Sequence, residues 1–346
     1  MTDPSPYRLD TEDWHTAGAP FRILYRIPSH SMPAGRTVLE RRNELIQHNF
    51  HPLDTLRKFL SHEPRGHADM FGGFIIPPDD LGAHFGVLFW DASGFPTNCG
   101  HGLIALGYWA VSKGLVKASE NEGVDVVIDA PSGRVVVSVT VKHGKPVHAD
   151  FIHVLSYQIA RGLSVAVPSL GREIEVDLAF AGVVIASVNA AHLGLDVMPR
   201  NADKFITLQR EIKSALGDRA TYVDYELHAV IFFEEDNSRP KKKGLIIQRS
   251  VTVYGDGRID RSPGVSATCA RVAILHSDGR VQGNSKLLNH SMIRSVLEAE
   301  IVGFRSRRVE DFEACEVRVG GQAHLVAQSR FLVDDDDPLL PGFLLR

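Results

Sequence analysis

Residues 99–113 read CGHGLIALGYWAVSK and residues 263–276 read PGVSATCARVAILH. In both runs small or apolar residues cover nearly every helical face, which predicts a helix buried all round rather than one lying on a surface. The first run ends at Gly114, a natural residue for the left-handed position after a helix. The second opens at Pro263, suited to a first helical turn, with Ser262 or Asp260 available as a cap. Each starts at a glycine-containing turn, TNCGHG in the first half and DRSPGVS in the second. Two such helix starts facing one another would pool unpaired N–H groups and positive dipole ends, an arrangement suited to a carboxylate.

Outward from these helices the chain alternates short β-rich runs with amphipathic stretches. FRILYRI (21–27), GGFII (72–76) and GVLFW (86–90) read as strands, whereas GRTVLERRNELIQHN (35–49) and LDTLRKFLS (53–61) carry a helical period. A second set of strands reads VDVVIDA (124–130), GRVVVSVTV (133–141), IEVDLAFAGVVIASV (174–188), HAVIFFE (228–234) and KGLIIQRSVTVY (243–254), interrupted by a helix around ADKFITLQREIKSALG (202–217). The lysine-rich run NSRPKKKG (237–244) reads as a solvated hairpin tip. The fold class is α+β, with each half wrapping strands round one central helix. Residues 1–14 have two prolines and no periodicity, and are expected to form a mobile tail.

The composition narrows the function. With 346 residues, 44% apolar and 23% charged, the chain can bury a large core, and disordered, collagen-like and coiled-coil classes drop out. A formal net charge of -4 offers no broad attraction to phosphate backbones, so nucleic acid is not an expected partner. No apolar run approaches the ~18 residues that cross a bilayer, and the polar start MTDPSPYRLDTEDW lacks the features of a leader. Three cysteines without CxxC spacing argue against a disulfide framework or thiolate zinc site, so a reduced, cytoplasmic protein is expected. Glycine spacings match neither nucleotide-binding pattern, and the dispersed histidines predict no metal.

Cys99 stands at the start of the first buried helix, where dipole and free amides favour a thiolate, making it a candidate base or nucleophile. His101 could orient that thiolate or hydrogen-bond a substrate, although a structural histidine is the commoner outcome. Asp260 reads as a cap or as an acceptor for a substrate ammonium. HTAGAPFR (15–22), EPRGHADM (63–70) and GDGRIDRS (255–262) each join a charged or imidazole group to a glycine turn. Cys315, in FEACEVRV, is given no role.

These segments, with LERRNEL (39–45), NCGHGLIALG (98–107), VDLAFAG (176–182), IDRSP (259–263), ATCAR (267–271) and the closing DDPLLPGFLL (336–345), resemble the proline racemase family, whose fold is that of diaminopimelate epimerase. The resemblance covers nearly the whole chain after residue 14. It implies two pseudo-symmetric domains, each an antiparallel sheet or barrel round a central helix, with an imino acid of proline or hydroxyproline type held between the helix starts. No cofactor is implied, and a homodimer is an expectation. The domains would be 15–156 plus 330–346, carrying Cys99, and 157–329, carrying DRSP.

The resemblance also implies two cysteines facing the substrate Cα from opposite sides. Cys99 matches the first, but the position after DRSP holds Gly264, where the family usually reads CGTGTSAR. Val265 and Ala267 replace expected glycines, and IRSVLEAEIVG (293–303) departs from the family's glycine-containing pattern. Inversion needs a proton donor on each face, whereas β-elimination needs one base at Cα and help for the leaving group. The expectation is therefore a hydro-lyase similar to the trans-3-hydroxy-L-proline dehydratase branch. Cys99 would take the Cα proton, the amides of Gly100, His101, Val265 and Ser266 would hold the carboxylate, and Asp260 with His101 would fix the ring nitrogen. Ser266 or a water would protonate the departing hydroxyl in the gap left by Gly264, with Gly102 in the first turn and Phe71 and Tyr254 lining the pocket. The alternatives are a racemase or 4-hydroxyproline epimerase using Cys269, Ser266 or water as second base, and an inactive imino-acid-binding homologue.

Overall fold

The structure is a computed structural model describing residues 8–48, 50–236, 244–283 and 285–345, with backbone alone at 303–307. The first half runs β1 (Arg8–Thr16), β2 (Ala19–Leu24), α1 (Val38–Gln47), α2 (Pro52–Ser61), β3 (Phe71–Ile76), β4 (Phe85–Asp91), α3 (Gly100–Ser112), β5 (Gly123–Ala130), β6 (Gly133–Lys142) and β7 (Lys145–Ile152). It continues β8 (Ser156–Val167), β9 (Arg172–Ala181), β10 (Val184–Asn189), α4 (Ala202–Leu216), β11 (Leu227–Glu235), β12 (Leu245–Tyr254), α5 (Val265–Ser277), β13 (Lys286–Ser291), β14 (Val296–Val309), β15 (Phe312–Gly321) and β16 (Ala323–Leu332). Two compact units result: residues up to 16, 20–149 and from 322 onward form the first, and 17–19 with 150–321 form the second.

In the first unit the strand order is β7-β6-β5-β4-β3-β2-β1-β16. This sheet curls round α3, which packs on β1, β3, β5, β6 and β16 and buries every residue from His101 to Ala110. Burial on all sides explains why α3 has no polar face. Gly102 permits the closest approach, because a Cβ there would lie 2.4 Å from the Phe21 ring. On the other face α1 and α2 lay Val38, Leu45, Leu53, Leu56 and Leu60 against Phe74, Leu88 and Trp90. Each such side chain contributes about 1.5–3 kcal/mol on burial. Strand β4 is therefore covered throughout and reads as a continuous apolar run.

The second unit repeats the plan and closes it. Its strands follow the order β14-β13-β12-β11-β10-β9-β8-β15, and pairing of β14 with β15 completes a ring. Helix α5 packs on β8, β9, β10, β14 and β15, while α4 covers the outside with Phe205, Leu208, Ile212 and Leu216. Within α5 the Arg271 guanidinium is fully buried; it donates to Gln248 Oε1 at 3.2 Å and Ser187 Oγ at 2.9 Å, and lies 3.5 Å from the Phe233 ring centroid. Burial lowers its pKa to about 10.

The α+β class and the wrapping of a central helix hold, but the sheets are mixed rather than purely antiparallel. The pairs β2–β3, β4–β5, β10–β11 and β12–β13 are parallel. Parallel neighbours need a crossover, and α1 with α2, then α3, then α4, then α5 supply one at each of these places.

Several expectations need correction. Residues 8–14 are not a tail: they form most of β1, paired antiparallel with β16, with Leu9 and Trp14 buried. Their charges are matched from far along the chain, Asp10 by Arg330 at 2.7 Å and Asp13 by Arg22 at 2.7 Å. The boundaries fall at 149/150 and 321/322 rather than 156/157 and 329/330, because the whole of β16 pairs with β1. Helix α5 begins at Val265 with Gly264 as an N-cap lacking a side-chain bond, so neither Ser262 nor Asp260 caps it and Pro263 lies outside. The expected solvated turn at 237–243 lies outside the described residues. Among the described residues no helix is long and apolar enough to cross a membrane.

Candidate active site

Cys99 is the N-cap residue of α3, in extended conformation and 7% exposed. Its carbonyl accepts the first helical bond, from the Leu103 amide at 2.9 Å, and its thiol makes no capping bond. The sulfur therefore belongs to the end of the helix where first-turn amides have no intrahelical acceptor, the position that favours an anion. Sγ lies 3.6 Å from both Nδ1 and Nε2 of His101. The imidazole therefore contacts the sulfur through both nitrogens equally.

His101 is held on three sides. Phe71 meets its ring edge-on at 4.9 Å between centroids, and Phe21 does so at 6.0 Å. The backbone carbonyl of His101 accepts from Thr16 Oγ1 at 2.8 Å. The HTAGAPFR run therefore reaches this helix start through Thr16, a residue the sequence reading did not single out. Phe71 thus clamps the imidazole.

In the second unit the turn before α5 is built by a chain of side-chain bonds. Tyr254 Oη donates to Asp260 Oδ2 at 2.7 Å, and Asp260 Oδ1 accepts from the Ser262 amide at 2.8 Å and Ser262 Oγ at 2.9 Å. Ser262 Oγ accepts the Gly264 amide at 3.0 Å, and Thr252 Oγ1 donates to the Pro263 carbonyl at 2.9 Å. Asp260 is thus buried and strongly bonded, yet a carboxylate oxygen carrying one bond keeps a further lone pair. Gly264 has φ +80°, and a Cβ built on it would lie 3.0 Å from Thr252 Oγ1 and 3.1 Å from Ala267 Cβ.

Val265 and Ser266 are the first two residues of α5, with amides free of helical acceptors by position. Ser266 Oγ lies 3.3 Å from His153 Nε2. Sequence reading missed His153 entirely: it follows β7 outside every motif, and its amide donates to the Val317 carbonyl of β15, a strand that packs on α5 in this unit.

Arg65 of EPRGHADM packs over the Phe59 ring at 4.1 Å and donates to the Pro341 carbonyl at 3.0 Å, tying down the closing segment. Cys269 is wholly buried, and burial pushes its thiol well above the ordinary range. Burial likewise raises Cys315 to about 12. A cavity of about 750 Å³ in the first unit, lined by Glu12, Trp14, Tyr108, Lys113 and His324, sits at the C-terminal end of α3. That is roughly 20 Å of helical rise from Cys99.

Each unit thus curls a mixed sheet round a buried helix, and a cysteine stands at the start of one of the two helices. The proline racemase family profile matches residues 12–344, and the chain belongs to that family. It is 35% identical to the trans-3-hydroxy-L-proline dehydratase of Burkholderia cenocepacia over 98% of both chains. Identity to the proline racemase of Clostridioides difficile is 31%, over 96% of this chain and 97% of that one. Among solved structures, a hydroxyproline epimerase from Agrobacterium vitis with bound trans-4-hydroxy-L-proline aligns with a TM-score of 0.81 at 25% identity, covering 98% of this chain and 96% of that one.

Proposed function

We propose that this protein is a hydro-lyase that removes water from trans-3-hydroxy-L-proline, or a closely related 3-hydroxy imino acid, to give pyrroline-2-carboxylate. The observation that carries this reading is the asymmetry of the two helix starts: Cys99 begins α3, whereas α5 begins after Gly264, which has no side chain to titrate. One thiolate suffices for elimination and not for two-base inversion. The 35% identity to a trans-3-hydroxy-L-proline dehydratase supports the same choice.

In this reading Cys99 thiolate takes the Cα proton, with His101 against the sulfur. The amides of Gly100, His101, Val265 and Ser266 bind the carboxylate, a role suited to helix N-termini. Asp260 accepts from the ring nitrogen, with His101 beside it. Gly102 keeps the first turn of α3 close to Phe21, and Phe71 and Tyr254 pack on the apolar ring. The electron pair freed at Cα forms the double bond to C3, and the 3-hydroxyl leaves as water with a proton from Ser266 or an ordered water. Tautomerisation of the enamine to the imine needs no further catalytic group.

The test is product analysis by mass across proline and hydroxyproline stereoisomers in deuterated water. Loss of water from trans-3-hydroxy-L-proline supports the lyase. Inversion with deuterium gained at Cα and no pyrroline would select an epimerase, the second reading, which the polar Ser266–His153 pair at the start of α5 and the racemase and epimerase relatives support. Tight binding without any exchange at Cα would select an inactive binding protein.

A further inference from the structure

We infer that His153 is a positioning residue for the leaving-group half of the reaction, holding Ser266 so that its hydroxyl donates to the departing 3-oxygen. The inference rests on the elimination reading above. His153 Nε2 and Ser266 Oγ are 3.3 Å apart inside the second unit, and Ser266 occupies the second position of α5, two residues beyond Gly264.

His153 Nδ1 is sealed from solvent, and the ring also has a backbone hydrogen-bonding interaction with Val154. With the ring proton on Nε2, the imidazole donates to Ser266 Oγ. The serine O–H is then left to point away from the imidazole. Burial holds His153 neutral, its pKa lowered to about 4, so the ring is a fixed donor rather than a proton store.

The step balances with water alone. As the C3–O bond breaks, its electron pair leaves with oxygen, and Ser266 transfers its proton to form water. The imidazole N–H and the start of α5 stabilise the negative charge that gathers on Ser266 Oγ, which regains a proton from solvent. Cys99 releases the Cα proton to solvent in turn. An interaction that strengthens as charge develops lowers the barrier more than it aids binding, so its loss appears in kcat rather than KM.

The test compares His153→Leu and His153→Asn with the native chain on two substrates, trans-3-hydroxy-L-proline and its 3-chloro analogue, whose halide leaves without a proton. His153→Leu is expected to lower kcat for the hydroxy substrate about 100-fold with KM little changed, and to lower it only a few-fold for the chloro substrate. His153→Asn, which keeps an N–H donor, should recover part of the loss. Equal losses on both substrates would mark a merely structural histidine, and unchanged kcat on the hydroxy substrate would also overturn the inference. Native protein that eliminates neither substituent overturns the lyase reading itself, and this inference falls with it; native elimination that ignores His153 overturns the inference alone.

Discussion

Tyr254 Oη donates to Asp260 Oδ2 at 2.7 Å, joining a ring expected only to line a pocket to a carboxylate expected to read the substrate nitrogen. The tyrosine therefore sets the direction of the carboxylate. A hydrogen bond to an ionised group contributes about 1.5–3 kcal/mol, so Tyr254→Phe should lower unfolding free energy by about that amount in a denaturant titration. In the proposed reaction, ligand affinity should also weaken, measured by calorimetry, because Asp260 loses its anchor on one side.

Gly264 has a backbone that the family's cysteine could not adopt cheaply in this chain. At φ +80° a side chain is strained, and its Cβ would press Thr252 and Ala267. Left-handed backbone costs an L residue about 1–2 kcal/mol before any crowding. Gly264→Cys should therefore lower the thermal midpoint by several degrees and should not confer proline racemisation, checked by chiral chromatography of the products.

The three thiols should separate cleanly in alkylation. Cys269 and Cys315 have pKa values raised by burial, the latter to about 12, so both stay protonated and shielded near pH 8. Cys99 should be modified first by iodoacetamide in the folded protein, as peptide mass mapping can check, and the other two only after denaturation. An imino acid carboxylate bound at the helix start should slow labelling of Cys99.

Acid stability gives a further check. The folded state holds His153 with a pKa lowered to about 4 from the ordinary 6.5, so the unfolded chain binds the extra proton between these values. The contribution is complete above pH 6.5 and is lost as pH falls towards 4, by up to about 3 kcal/mol. Urea titrations at pH 7 and pH 4.5 should show a smaller drop for His153→Gln than for the native chain.

What was readable in the sequence followed burial. Helices α3 and α5 announced themselves because burial on every side removes polar residues from every face, and Cys99 was visible as a reactive type at a helix start. Strand β1 was hidden because its acidic residues suggested solvent; the partners that neutralise Asp10, Glu12 and Asp13 include Arg330, Lys113 and Arg22. Strands β13 to β16 were similarly obscure, since pairing of β16 with β1 joins the two ends of the chain. His153 left no local signal: its meaning lies in a hydrogen bond across 113 positions of sequence. The Asp260 network shows the intermediate case, where spacing suggested a cap and the folded turn put the carboxylate beneath Ser262 and Tyr254.

The account depends most on Cys99 being the group that removes the Cα proton, and the direct measurement is the rate of Cα–deuterium loss from [2-2H]-trans-3-hydroxy-L-proline by the native protein and by Cys99→Ala, followed by NMR. The native chain should release the label as pyrroline forms, and the variant should fall by about 1,000-fold or more while circular dichroism shows the fold intact. Release at the native rate from the variant would contradict the assignment.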